Sequence, residues 1–307
     1  MLVSVGDSVA SGEGNPAPGI VRWQSPSWCH RSATSGQAIA AREVIEAHPN
    51  SSLRFLSFAC SGATIDRGLL GEFQKGTFHR AEPAQLDRVG QLPPETDVDA
   101  LLISIGANDV GFQRIVTFCT IKDRCSNNRT FGPAVEWAAK QHVPVPTLDA
   151  YVTQRIAELG QDYDRVDARI PSEIDRGHVL LVEYFDPTRW PPGTQCPVID
   201  ERLINHPEEG LVTTAESRWA HDHVLIPLND AIHAAAQRNG WTVVDGVDEA
   251  FDGHGICAPK PERWVRTLNE SLAMQHDIRG TLHPNEAGHR ATAAVIRAKL
   301  ASVLGLG

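Results

Sequence analysis

The sequence predicts an α/β fold in which a mainly parallel sheet of about five strands is covered by helices on both faces. Three observations predict it. Short apolar runs recur along the 307 residues, helix-patterned segments separate them, and each notable polar motif directly follows such a run. Runs of this kind suit strands that are covered on both sides.

The predicted strands are Leu2–Val5, Leu53–Phe58, Ala100–Ile105, Val179–Tyr184 and Thr242–Asp245. Between the first two, the segment from Ser35 to Ala47 is rich in Ala, Ile and Glu and reads as a crossover helix. Residues 131–176 are mostly helical but divided by Pro133, Pro144, Pro146 and Pro171, because proline lacks the N–H and clashes with the preceding turn. The last helix begins near Asn285, a good N-cap, and carries Ala287, Ala291, Ala294 and Ala298 at helical spacing. Pro and Gly cluster in 12–19 and 191–197, which read as loops at strand ends. No repeat, low-complexity run or linker divides the chain, so residues 1–307 are expected to form one domain, and a monomer is expected.

Composition narrows the function. With 41% hydrophobic and 21% charged residues, the chain can bury a full core. Its 38 acidic and 28 basic residues give a formal charge of -10, which argues against a nucleic-acid partner. No apolar tract is long enough to span a membrane as a helix. Met1 to Ser8 already read as strand and motif, so the protein is expected either to be cytoplasmic or to have lost a leader.

The cysteines bear on that choice. Cys29, Cys60, Cys119, Cys125, Cys196 and Cys257 are even in number and contain no C-x-x-C pair, which argues against a zinc site. Spacing does not choose among their pairings. Three disulfides in an oxidising, secreted or extracytoplasmic setting are the expectation, and six reduced thiols in a cytosolic enzyme the alternative.

Ligand sites in an open parallel sheet form outside the carboxyl ends of its strands. The first strand runs into Gly6-Asp7-Ser8-Val9-Ala10-Ser11-Gly12-Glu13-Gly14, where a serine in a tight turn can project its hydroxyl. The second ends in Ala59-Cys60-Ser61-Gly62-Ala63-Thr64, and its glycine can present an N–H to a ligand. After the third, Ser104-Ile105-Gly106-Ala107-Asn108-Asp109 offers the Asn108 amide as a donor, while Asp109 reads as a cap or turn former. Gly280-Thr281-Leu282-His283-Pro284-Asn285 places His283 on a loop just before the final helix. Each block alone is an ordinary turn. Their conjunction in this order is not.

These four blocks resemble the SGNH (GDSL-type) serine hydrolase family, with Ser8, Gly62, Asn108 and His283 at the matching positions. The resemblance runs from residue 4 to about residue 290, and among subgroups the chain looks most like secreted actinobacterial esterases and lipases, which share the Gly-Asp-Ser-x-x-x-Gly-Glu-Gly opening. It implies a three-layer α/β/α sandwich with a flavodoxin-like sheet. It also implies disulfides in sequence order, Cys29–Cys60, Cys119–Cys125 and Cys196–Cys257. The activity implied is hydrolysis of a small-molecule or lipid ester by a serine esterase or lipase, without a cofactor or metal.

In that chemistry Ser8 attacks after His283 takes its proton, and the oxyanion is held by the N–H groups of Ser8 and Gly62 and the amide of Asn108. Many family members carry an acid three positions before the histidine, where this chain has Gly280. The expectation is a Ser–His dyad in which the Gly280 carbonyl orients the ring. Asp277, six residues before His283, is the alternative as a true third member. His221 and His223 point to different sides of a helix and are not read as a metal pair, and His30 is read as structural. Trp23, Trp28, Trp190 and Trp264 fall in loops, where they either line a cleft or simply pack. The competing activities at the same site are phospholipase, carbohydrate O-deacetylase and acyltransferase. A catalytically silent binding module is the reading from another class, and the four intact positions count against it.

Overall fold

The computed structural model describes residues 1–19, 22–49, 51–74, 76, 79–119, 124–200 and 211–306. Five strands, β1 (Leu2–Gly6), β2 (Phe55–Ser57), β3 (Ala100–Ser104), β4 (Val179–Val182) and β5 (Thr242–Val244), form one parallel sheet in the order β2-β1-β3-β4-β5. In register, Leu2 pairs with Phe55 on one side and Ala100 on the other. This is the flavodoxin-like order, whose direction of winding reverses between β1 and β3. β2 is shorter than predicted. It is an edge strand, so its pairing rests on one neighbour, although Phe58 N–H still reaches the Ser4 carbonyl at 2.8 Å.

The chain passes from β1 into α1 (Ser8–Ser11), then through α2 (Gly36–Ala47), α3 (Gln85–Gly90) and α4 (Phe112–Cys119). Next come α5 (Gly132–Gln141), α6 (Leu148–Asp167), α7 (Thr214–Ala220) and α8 (Ile226–Asn239). The last are α9 (Val247–Ala250), α10 (Leu268–Gln275) and α11 (Glu286–Val303). Prolines behave as their chemistry requires: Pro133 sits in the first turn of α5, Pro144 and Pro146 lie between α5 and α6, and Pro171 follows α6. Ser35 Oγ caps α2 by accepting from Ala38 N–H at 3.2 Å, and Asn285 Oδ1 caps α11 by accepting from Gly288 N–H at 3.1 Å.

Alternation along each strand divides the core in two. Leu2, Leu102, Leu180 and Val244 face α2 and α11, where Ile39, Val44, Ile296 and Leu300 pack. Val3, Val5, Leu101, Ile103 and Leu181 face the other way, onto Leu86 of α3, Leu159 and Tyr163 of α6, and Ile232 of α8. Each fully buried branched side chain contributes roughly 1.5–3 kcal/mol. The layers are therefore helix, sheet, helix.

Disulfides join Cys29–Cys60, Cys119–Cys125 and Cys196–Cys257, the sequence-order pairing that the resemblance implies. A separate antiparallel pair, Val198–Asp200 with Leu211–Thr213, lies outside the main sheet. Among the described residues, no helix is long and apolar enough to cross a membrane.

Candidate active site

The site forms where β1 and β3 end. A Cβ at Gly6 would lie 2.0 Å from the Ser104 carbonyl oxygen, and its φ is +138°, so glycine is required for β1 to leave the sheet this close to β3. Asp7 then caps α1, its Oδ1 accepting from Val9 N–H at 2.9 Å and its Oδ2 from the Tyr184 hydroxyl at 2.6 Å. Burial pushes the Asp7 carboxyl up to about 6, against the lowering effect of those two hydrogen bonds. The turn leaves Ser8 partly exposed, with Oγ 2.7 Å from His283 Nε2.

The other nitrogen of His283 departs from expectation. Nδ1 faces the carbonyl of Thr281 at 3.2 Å, whereas the Gly280 carbonyl accepts the backbone N–H of His283 at 3.0 Å. The local turn explains it. Leu282 adopts φ +62°, and its N–H donates to Arg266 O at 2.9 Å, which turns the carbonyl two residues before the histidine, not three, toward the ring. Asp277 does not reach the imidazole. Its Oδ1 accepts from the Gln275 amide at 2.6 Å and from Arg279 N–H at 2.9 Å, and its Oδ2 lies 3.8 Å from His30 Nε2. Desolvation lowers His283 below the ordinary histidine range, with the charge of Glu13 and the backbone carbonyls acting upward.

Across the sheet, the loops after β2 and β3 hold each other. Asn108 Nδ2 donates to Ala63 O at 2.9 Å, leaving a second amide hydrogen, and Asp109 Oδ1 accepts from Ile65 N–H at 3.0 Å. Asp109 is thus a clasp between loops and not a helix cap. Burial pushes it up to about 7, opposed by the Ile65 hydrogen bond. Gly62 lies on the clasped loop, one residue before Ala63. Among the described residues, the N–H groups of Ser8 and Gly62 have no protein acceptor.

Ser8, Asn108 and His283 share a pocket walled by Val9, Phe112, Phe185, Leu225 and Leu228. Phe112, Val224, Leu225 and Leu282 also border a second, almost wholly apolar chamber, continued by Ile115, Val116, Ala220 and Ile256. Val224 and Leu225 lie in a π-helical turn, His221–Leu225, a feature common at functional sites.

The tryptophans line neither chamber: Trp23 stacks on His30 at 4.5 Å, Trp28 packs on Phe73 at 5.7 Å, and Trp264 stacks on His254 at 3.6 Å. His221 Nδ1 faces Asp186 at 2.8 Å and His223 Nδ1 faces Asp149 at 2.9 Å, so the two serve different carboxylates. Sequence reasoning gave no role to Tyr184, Gln275 or Glu13, which all bear on the site. Glu13 carried a signal as a charged residue between two glycines in the loop after α1, and Tyr184 as the last residue of a predicted strand.

Comparison with known proteins shows the family and the fold. Residues 4–291 match the profile of the GDSL-like Lipase/Acylhydrolase family. Lipase 1 of Streptomyces coelicolor is 26% identical over 286 residues, covering 93% of this chain and 81% of that protein. A lipase of Streptomyces rimosus is 25% identical over 288 residues, covering 94% and 83%. In fold, the chain is similar to the extracellular lipase of Streptomyces rimosus, with a TM-score of 0.59 at 22% identity over 97% of this chain and 98% of that one. It is similar to phospholipase A1 of Streptomyces albidoflavus at a TM-score of 0.58 and 21% identity, with the same coverage of 97% and 98%.

Proposed function

The chain belongs to the GDSL-like lipase/acylhydrolase family, and from that premise we propose that it hydrolyses carboxylic esters of apolar acyl chains through a Ser8–His283 dyad. One observation carries this reading: a serine hydroxyl 2.7 Å from an imidazole nitrogen, at the wall of an apolar pocket.

His283 Nε2 takes the Ser8 proton as Oγ bonds to the ester carbonyl carbon. The resulting oxyanion accepts hydrogen bonds from the N–H groups of Ser8 and Gly62 and from the free amide hydrogen of Asn108, each typically worth about 2.7–4 kcal/mol in the transition state. As the C–O bond breaks, the leaving alkoxide takes the proton from His283. Water then repeats the sequence on the acyl-enzyme and frees the acid. The Thr281 carbonyl at Nδ1 fixes the tautomer that leaves Nε2 free to accept. The two apolar chambers suit an extended acyl chain, and a carbohydrate O-deacetylase fits their lining poorly. Three disulfides support action outside the cytoplasm.

The test is turnover of p-nitrophenyl acetate, butyrate and decanoate, with fluorophosphonate labelling, by wild type, Ser8→Ala and His283→Ala. Loss of nearly all turnover in both variants, with labelling at Ser8 in wild type, supports the dyad. A wild type that neither turns over ester nor takes the label rejects it.

A further inference from the structure

Glu13 is fully buried, yet it takes part in no step above. Three elements converge on its carboxylate. His30 Nδ1 lies 2.8 Å from Oε1 and 2.9 Å from Oε2, Ser61 Oγ donates to Oε2 at 2.5 Å, and Gln275 Nε2 donates to Oε1 at 2.5 Å. A buried carboxylate is tolerable only when so satisfied.

Each donor belongs to a different part of the site. Ser61 immediately precedes Gly62. Gln275 lies beside Gly280, where a Cβ would sit 2.8 Å from its Oε1, and that same oxygen accepts from Gly14 N–H at 3.1 Å. Glu13 itself lies on the loop leaving the Ser8 helix. Gly14, next along, packs on His283, since a Cβ there would lie 3.0 Å from the His283 Cβ. Arg266 locks that contact, its Nε donating to Gly14 O at 2.8 Å and its N–H to His283 O at 2.9 Å.

We infer that Glu13 is a positioning residue for hydrolysis, tying the nucleophile, Gly62 and His283 loops to one buried carboxylate and supplying the negative charge that no side chain at position 280 provides. The inference rests on the Ser8–His283 reading. As the proton moves to His283 in the transition state, an anion held nearby in a poorly screened interior favours the imidazolium. Glu13 stays ionised there. Burial pushes its carboxyl up, but His30, His283 and the Ser61 hydroxyl outweigh that and hold it at about 2. The other charged or titratable groups around His283 are His30, Arg266, Asp277 and His289.

The test compares Glu13→Gln, Glu13→Asp and Ser61→Ala in the intact enzyme, with kcat normalised to the fraction labelled by fluorophosphonate. Removing an anion that favours imidazolium lowers the His283 pKa. Glu13→Gln should therefore shift the acidic limb of kcat/KM down by about one pH unit and cut kcat about tenfold or more. Glu13→Asp keeps the charge and should leave the limb in place while lowering kcat. Ser61→Ala should lower kcat several-fold with KM and limb unchanged. A Glu13→Gln enzyme with wild-type kcat and limb overturns the inference. If that variant does not fold, an unchanged kcat in Ser61→Ala overturns it instead. Failure of the wild type to label at Ser8 is a different result, and rejects the dyad.

Discussion

The side-chain amide of Gln275 occupies the space into which a side chain at Gly280 would extend, with Oε1 2.8 Å from where a Cβ would be. The absence of an acid three positions before His283 is thus a packing requirement as well as a chemical departure. Ser271 closes the other side, its Oγ accepting from Gly280 N–H at 2.9 Å and donating to Asp277 O at 2.6 Å. The Gly280 φ is not positive, so the backbone itself would accept alanine. Gly280→Ala is therefore expected to lose about 1–3 kcal/mol by overpacking. Because Gln275 is displaced, kcat should fall as well. Denaturant unfolding and ester turnover check both, and a variant with wild-type stability would show that the loop yields.

Asp277 gives the complementary expectation. It touches Gln275 and the Arg279 N–H but not the imidazole, so Asp277→Asn should retain kcat within about threefold, where His283→Ala falls by orders of magnitude. A fall in Asp277→Asn as deep as that of His283→Ala would restore the displaced triad. Steady-state kinetics on p-nitrophenyl butyrate decides between them.

The second apolar chamber bears on chain length. Ala220 lines it beyond Phe112 and Leu225 and does not line the pocket that holds Ser8. Filling it with Ala220→Phe should lower turnover of the decanoate about tenfold while sparing acetate and butyrate. Equal loss on all three esters would mean that the chain does not enter this chamber.

Much of this was legible in the sequence because it is local. Gly6, Ser8, Asn108 and His283 follow strand ends or precede a capped helix, and such positions announce themselves through turn chemistry and order along the chain. The five strands were legible for the same reason, through short apolar runs between helical patterns. The orienting carbonyl was not, because whether Thr281 or Gly280 faces Nδ1 depends on the positive φ of Leu282, which a leucine does not advertise. Nor were the partners of Glu13. His30, Ser61 and Gln275 lie 17, 48 and 262 residues away from it, and only the fold brings them together.

Asp109 should leave a signature in the pH dependence of stability. Its folded pKa, about 7, is raised above the ordinary value of 3.8, chiefly by burial. A raised carboxyl binds its proton more tightly when folded, so its contribution is fully present below about pH 4 and lost as pH rises through about 7. Asp109→Asn removes that loss and keeps an oxygen for the Ile65 N–H. The variant should therefore gain stability relative to wild type on going from pH 5 to pH 8, by a few kcal/mol at most. Thermal unfolding at the two pH values measures it, and an unchanged difference would place the Asp109 proton elsewhere.

The Cys29–Cys60 disulfide joins the two loops that present His30 and Ser61 to Glu13, because each cysteine directly precedes one of those residues. Ser61 N–H also donates to Cys29 O at 2.9 Å, so the crosslink and the hydrogen bond act on the same pair of backbones. Its sequence separation of 31 gives an entropic contribution of about 3–4 kcal/mol. Cys119–Cys125, with a separation of 6, contributes less and touches none of the Glu13 donors. Replacing Cys29 and Cys60 by alanine should therefore lower both the melting temperature and, well below it, the kcat per labelled active site. Replacing Cys119 and Cys125 should lower stability by less and leave turnover of the acetate near wild type. If the first pair lost stability alone, the disulfide would serve the fold and not the alignment of the Gly62 loop.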